Sequence, residues 1–175
     1  MKILLIRHGE TTGDIEDRYG GFYDDHLTDR GIQQLKETAM KLEGITVDTI
    51  FSSSLIRATE SSEIINTVLK TKIEILEGLR ERNYGILGGL TKIEALEKYP
   101  EAVELHKDYN NTDLEGESWT DFTKRVENTF TYIINQQLEC VAILGHGGSI
   151  KVILRHLNLP LPPSIGDGEI IEVTV

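Results

Sequence analysis

Two short apolar runs, Ile-Leu-Leu-Ile at 3–6 and Val-Ala-Ile-Leu at 141–144, have the length of buried strands, and each runs into a histidine set against glycine. The first continues as Arg7-His8-Gly9 and the second as Gly145-His146-Gly147-Gly148. If the two strands lie side by side and parallel, both histidines stand at their carboxyl ends, where open α/β sheets receive ligands. The pair can then face one small anionic group.

The rest of the chain fits that frame, because strand and helix signals alternate, as they do in α/β proteins with a largely parallel sheet. Strands are expected at about Lys2–Ile6, Val47–Phe51, Lys72–Leu76, Cys140–Leu144 and Glu169–Val175. Thr28 suits a helix N-cap, with Ile32, Leu35, Ala39 and Leu42 recurring at helical spacing. A second helix follows Ser52-Ser53-Ser54, the longest opens at Ser118 and carries its core stripe from Trp119 to Ile134, and a last one follows His146. The segment from Gly9 to about Leu27 is long for a connection and is read as a functional loop. Pro100 is expected to divide a short helical region that ends near Tyr109.

At 175 residues, with no linker or repeat, one domain over 1–175 is expected. The net charge of −11, from 29 acidic and 18 basic side chains, repels nucleic acid and anionic membranes, so neither is an expected partner. An anionic substrate must therefore be held by a local cluster of cations. The N-terminal apolar run is too short for a signal-peptide core or a membrane span, and the lone Cys140 suits a reducing compartment, so the expected location is cytoplasmic. The oligomeric state stays open between monomer and homodimer.

Glycines around His146 allow close backbone approach, and the helix that follows offers free amides to an anion. The plainer alternative for each histidine is a hydrogen-bonded core residue; the matched contexts favour a shared site. Arg57 stands in the first turn of a helix, where it is either a solvated surface cation or a planar fork for phosphate oxygens. Glu81, just before Asn83-Tyr84-Gly85, is either a surface charge or a carboxyl that donates a proton to a leaving oxygen. Asp24-Asp25-His26 is a poor metal site, because three adjacent side chains diverge; no metal and no cofactor is expected. His26, His106 and His156 are read as surface or capping residues.

Taken together, Arg7-His8-Gly9-Glu10-Thr11, Ser52 to Ala58, Leu79-Arg80-Glu81 with Gly85, Gly116-Glu117-Ser118 and Gly145 to Gly148 resemble, in order and over nearly the whole length, the motifs of the histidine phosphatase superfamily. The resemblance implies a three-layer α/β/α sandwich with a mostly parallel central sheet, phosphoglycerate mutase-like, bearing a short helical cap at about 85–117. It also implies roles. His8 is the nucleophile that takes the phosphoryl group, Arg7, Arg57 and His146 hold its oxygens, and Glu81 is the proton donor. Gly20, Gly21, Tyr84, Lys92 and Gly147 fall at substrate-binding positions of the family pattern. One departure stands out: family members usually carry asparagine where this chain has Asp14, and a carboxylate beside phosphate is repulsive unless protonated or paired, for instance with Arg18.

The resemblance leaves three activities to separate. The segment from Gly85 to Glu115 holds three lysines, no arginine and seven acidic residues, whereas family mutases carry a longer, arginine-bearing insertion there. An open acidic cap favours hydrolysis and disfavours a doubly charged substrate. The expected activity is metal-independent hydrolysis of a small phosphorylated metabolite, in the style of the α-ribazole-phosphate phosphatases, with α-ribazole 5'-phosphate as the specific candidate. The alternatives are a cofactor-dependent phosphoglycerate mutase-type phosphotransferase and a phosphate-binding regulatory module silenced by Asp14.

Overall fold

A computed structural model describes residues 1–175. Five strands, β1 (Lys2–Arg7), β2 (Thr49–Ser52), β3 (Lys72–Ile75), β4 (Cys140–Gly145) and β5 (Ile170–Thr174), form one sheet in the order β3-β2-β4-β1-β5. All neighbours are parallel except β1 and β5. The inner strands read as unbroken apolar runs because both faces of the sheet are covered. Ile3, Leu5, Val141 and Ile143 face one side, and Leu4, Ile6, Ala142 and Leu144 face the other.

Helices α2 (Asp29–Lys41) and α3 (Ile56–Leu69) cover the second of those faces through Leu35, Ala39 and Ile65. Helices α6 (Trp119–Ile134) and α7 (Gly147–His156) cover the first through Phe122, Val126, Phe130, Val152 and Ile153. This is the three-layer arrangement that the family resemblance implied, around the largely parallel sheet expected from the alternation of elements. Thr28 caps α2 by accepting from the Gly31 amide at 2.9 Å, and Ser118 caps α6 by accepting from the Asp121 amide at 3.0 Å.

The chain leaves β1 toward the α2 layer and leaves β4 toward the α7 layer, although the two strands are hydrogen-bonded neighbours. That divergence opens a crevice at their carboxyl ends. The register pairs Arg7 with Gly145, so the next residue on each strand is His8 and His146. Between β3 and α6 lie two short helices, α4 (Lys92–Lys98) and α5 (Pro100–His106), with Pro100 in the first turn of the second. They pack around Tyr19, Leu87, Ala95 and Ala102, a small core of their own beside the crevice.

The long first loop is not wholly irregular. Thr12–Ile15 forms a one-turn helix, α1, closed by a capping box in which Thr11 and Asp14 bond reciprocally. A helix of four residues is too short to leave a periodic apolar signature.

Candidate active site

The crevice deepens into a cavity of about 620 Å³ whose lining includes Arg7, His8, Arg57, Glu81, Gly147 and Gly148. His146 lies just beneath, with its ring centroid 5.2 Å from that of His8. Both rings are buried, at 6% and 1% exposure. The His8 Nδ1 atom lies 2.8 Å from the Gly9 carbonyl, so it carries the proton and Nε2 keeps its lone pair. Burial, then the Arg57 and Arg7 charges, push the His8 pKa well below its usual range. The same causes in the same order, with His8 itself adding, depress His146. Both imidazoles are neutral near pH 7. Nε–H of Arg57 donates to Nδ1 of His146 at 3.3 Å, which leaves the His146 proton on Nε2, donated to Ser53 Oγ at 2.8 Å.

The two arginines differ in how free they are. Arg7 donates to the Ile165 carbonyl at 2.5 Å and pairs with Asp167 at 3.2 Å, while its Nε is buried without a partner. Burial holds the Asp167 carboxyl above its usual range, against the pull of Arg7. Arg57 is 4% exposed and largely committed: to His146, to the carbonyls of Tyr23 and Gly21 at 2.7 and 2.9 Å, and to Asp25 at 2.9 Å. Of a guanidinium's five N–H groups only one, on Nη2, is left for a ligand. The open fork expected at Arg57 is therefore corrected to a single free donor. Gly21 holds φ near +60°, and a Cβ there would meet the Arg82 carbonyl at 2.8 Å, so glycine is required for the carbonyl that grips Arg57.

Glu81, 8% exposed, is held at both oxygens: the Arg82 amide donates to Oε1 at 2.8 Å and the Gly148 amide to Oε2 at 2.8 Å. Its backbone is clamped from beneath by Arg125, which donates to the carbonyls of Gly78, Arg80 and Glu81, at 3.1 Å each, and pairs with Glu117 at 2.6 Å. Arg82, 1% exposed, reaches the carbonyls of Glu117, Tyr109 and Asn111 and ties the segment before α6 to the acid. Neither arginine stood out in the sequence, because a buried cation satisfied by carbonyls has no partner residue to form a pattern with.

Asp14 lines the cavity but turns Oδ2 back onto Thr11, accepting from its amide and its hydroxyl at 2.9 Å each. Pairing with Arg18 does not occur; Arg18 bonds to Glu16 at 2.5 Å and to the Gly89 carbonyl at 2.6 Å. Gly20, Gly21 and Tyr84 also line the cavity. Lys92 does not. Its ammonium sits 3.2 Å from the centre of the Tyr19 ring, so the expectation of Lys92 beside Tyr84 at the substrate is corrected.

The Asp24-Asp25-His26 run disperses: Asp24 accepts from the Ile56 amide at 2.6 Å, Asp25 pairs with Arg57, and His26 lies 2.7 Å from Glu60. His106 is not a simple surface residue either. It is packed edge-on against Tyr19 and Tyr84 and lies 2.9 Å from the buried Asp113. Trp119, assigned to the core stripe, packs against that core but also lines the cavity, with Tyr109 edge-on at 4.8 Å.

The charge around the cavity also differs from that of the cap as a whole. Five cations line it, Arg7, Arg18, Arg57, Lys151 and Arg155, against three carboxylates, Asp14, Asp25 and Glu81. None of the seven acidic residues of the cap reaches it. The expectation that the open acidic cap disfavours a doubly charged substrate is thus overturned, because the cap's carboxylates do not line the cavity. A dianion can be held here between neutral imidazoles and fixed cations, with a carboxyl alongside for proton transfer.

Residues 3–168 match the family model of the histidine phosphatase superfamily, branch 1. The chain is 31% identical to a 2,3-bisphosphoglycerate-dependent phosphoglycerate mutase of Nitrobacter hamburgensis, over 93% of this chain and 84% of that protein. Among solved structures, the fold is similar to the alpha-ribazole phosphatase of Shigella flexneri, with a TM-score of 0.90 at 22% identity, covering 100% of this chain and 91% of the other. It is also similar to Bacillus stearothermophilus YhfR, with a TM-score of 0.89 at 27% identity, covering 99% and 91%.

Proposed function

This chain belongs to the histidine phosphatase superfamily (branch 1), and we propose that within it the protein is a phosphomonoesterase, acting on a small phosphorylated metabolite through a phosphohistidine on His8. One observation carries the reading. The buried imidazoles of His8 and His146 lie 5.2 Å apart, and His8 shares a cation-lined cavity with a carboxyl held at both oxygens.

In the first step Nε2 of His8 attacks phosphorus, and the ester oxygen leaves with the proton of Glu81. In the second, the Glu81 carboxylate takes a proton from water as that water attacks phosphohistidine. Phosphate departs and His8 is regenerated. Neutrality is what keeps His8 nucleophilic, and its depressed pKa extends that state below pH 6.5. The arriving dianion favours a proton on His146. Nδ1–H then donates to a phosphoryl oxygen in place of the 3.3 Å bond from Arg57, whose Nε–H is released to the same group. Arg7 adds its unpartnered Nε–H. No step requires a metal, because the fixed cations supply the charge stabilisation that phosphoryl transfer needs.

The test is phosphate release from p-nitrophenyl phosphate and from a panel of phosphorylated metabolites that includes α-ribazole 5'-phosphate, without added metal. Vanadate binding with no hydrolysis of any ester points instead to a silent binding module. A second reading, mutase-type transfer, draws support from the 31% identity to a phosphoglycerate mutase and from the cationic lining. Interconversion of 3- and 2-phosphoglycerate far faster than phosphate release would establish it.

A further inference from the structure

Of the five cations that line the cavity, three are engaged with carboxylates: Arg7 with Asp167, Arg18 with Glu16 and Arg57 with Asp25. The other two, Lys151 and Arg155, pair with no carboxylate. Lys151 donates to the Pro163 carbonyl at 3.1 Å, and the Arg155 guanidinium lies 5.3 Å over the Trp119 ring, which fixes its direction without neutralising it. They stand four residues apart on α7 and therefore on one face of it. In a chain with 29 carboxylates and 18 basic residues, two unneutralised charges side by side in a cavity wall are positioned for an anion from outside the chain.

Helix α7 also supplies the reacting end, through the Gly148 amide on Glu81. Lys151 and Arg155 lie three and seven residues further on, about 4.5 and about 10.5 Å along the helix axis. The reacting phosphoryl group and these cations are thus two ends of one rigid ruler.

We propose that Lys151 and Arg155 form a second anion site, and that the substrate is a phosphomonoester bearing another anionic group, carboxylate or phosphate, at the end of its body remote from the reacting phosphoryl group. This inference rests on the phosphomonoesterase reading above. It assigns specificity to the helix after the second histidine, not to the cap.

The test compares three series of probes of increasing chain length: n-alkyl phosphates, ω-carboxyalkyl phosphates and alkane-1,ω-diyl bisphosphates. The wild-type protein is expected to favour an anionic end over an alkyl end of the same length by roughly ten-fold in kcat/KM, as two part-exposed charge contacts allow. The preference should peak at one chain length and shrink as salt rises. Whether carboxylate or phosphate leads identifies the source of the second charge. In Lys151→Met/Arg155→Met the ratio should fall toward unity, and in Lys151→Glu/Arg155→Glu it should invert in favour of ω-aminoalkyl phosphates.

The same ratios read as dissociation constants by calorimetry on His8→Ala separate this claim from turnover. Absence of hydrolysis by the wild type with the binding preference intact removes the phosphatase reading and keeps the anion site. A wild-type ratio near unity, or a ratio that the paired substitutions leave unmoved, overturns the site whatever the hydrolytic rate.

Discussion

Asp14 and Thr11 close on each other across one turn of backbone, the carboxylate accepting from both the amide and the hydroxyl of Thr11 at 2.9 Å. A side chain lining the cavity is thereby put to use in folding a helix start. An amide oxygen can accept the same two bonds, and its NH2 would add a donor where the carboxylate presents negative charge. Asp14→Asn is therefore expected to raise kcat/KM for p-nitrophenyl phosphate by about ten-fold, the value of one charge-sensitive hydrogen bond, with little change in Tm. Unchanged or reduced turnover would show that the carboxylate is not in the phosphoryl group's field.

His8→Ala removes the only lone pair assigned to attack. Turnover is expected to fall by more than about 10³-fold, as when a covalent catalyst loses its nucleophile. Labelling from a 32P ester should yield an acid-labile phosphoprotein in the wild type and none in the variant. Undiminished hydrolysis by the variant would remove His8 from its role.

A Cβ at Gly148 would lie 2.1 Å from Oε1 of Glu81. The atom it strikes is the far end of a flexible side chain, so the fold tolerates Gly148→Ala and the acid moves instead. Leaving groups that depend on protonation should suffer most: about 10²-fold on alkyl phosphates, against a much smaller loss on p-nitrophenyl phosphate. Tm is expected to stay within about 2 °C of the wild type. Equal losses on both esters would argue against Glu81 as the donor.

The two buried imidazoles make stability depend on acid. Both have folded pKa values depressed by burial and by the neighbouring arginines, below the unfolded value of 6.5. Unfolding at lower pH therefore takes up protons that the folded rings refuse, and this contribution, complete above pH 6.5, is lost as pH falls below it. Urea midpoints measured at pH 7.5 and 5.5 should drop more in the wild type than in His146→Asn. An identical drop in both would mean that His146 titrates normally when folded.

Much of the framework was legible because it is written in contiguous runs. The apolar stretches of β1 and β4 and the stripe of α6 require no knowledge of partners, and Thr28 and Ser118 mark helix starts by local chemistry alone. Register did not follow from the same runs, since a strand apolar on both faces carries no alternation to fix which residues pair. Residues joined only in three dimensions stayed hidden. Arg82 and Arg125 serve carbonyls, Asp25 meets Arg57 across 32 positions, and Tyr109 enters the cavity because Arg82 holds its carbonyl. Lys92 was misplaced for the converse reason: its spacing from Tyr84 fits a pattern, but the cap turns its ammonium onto Tyr19. The cap's acidic composition misled in the same way, since composition does not record which way a charge faces.

The pairing of Arg7 with Gly145 has a consequence for how such a protein can diversify. The spacing of His8 and His146 is set by main-chain ladder bonds between adjacent strands, and no surface side chain takes part in it. The wall proposed to meet the rest of a substrate comes from separate pieces, α7 beyond its first turn and the segment before α6. Drift or engineering in those pieces can retarget the protein to new molecules while the bond-breaking apparatus stays untouched, so changes of specificity and changes of chemistry are separable by design.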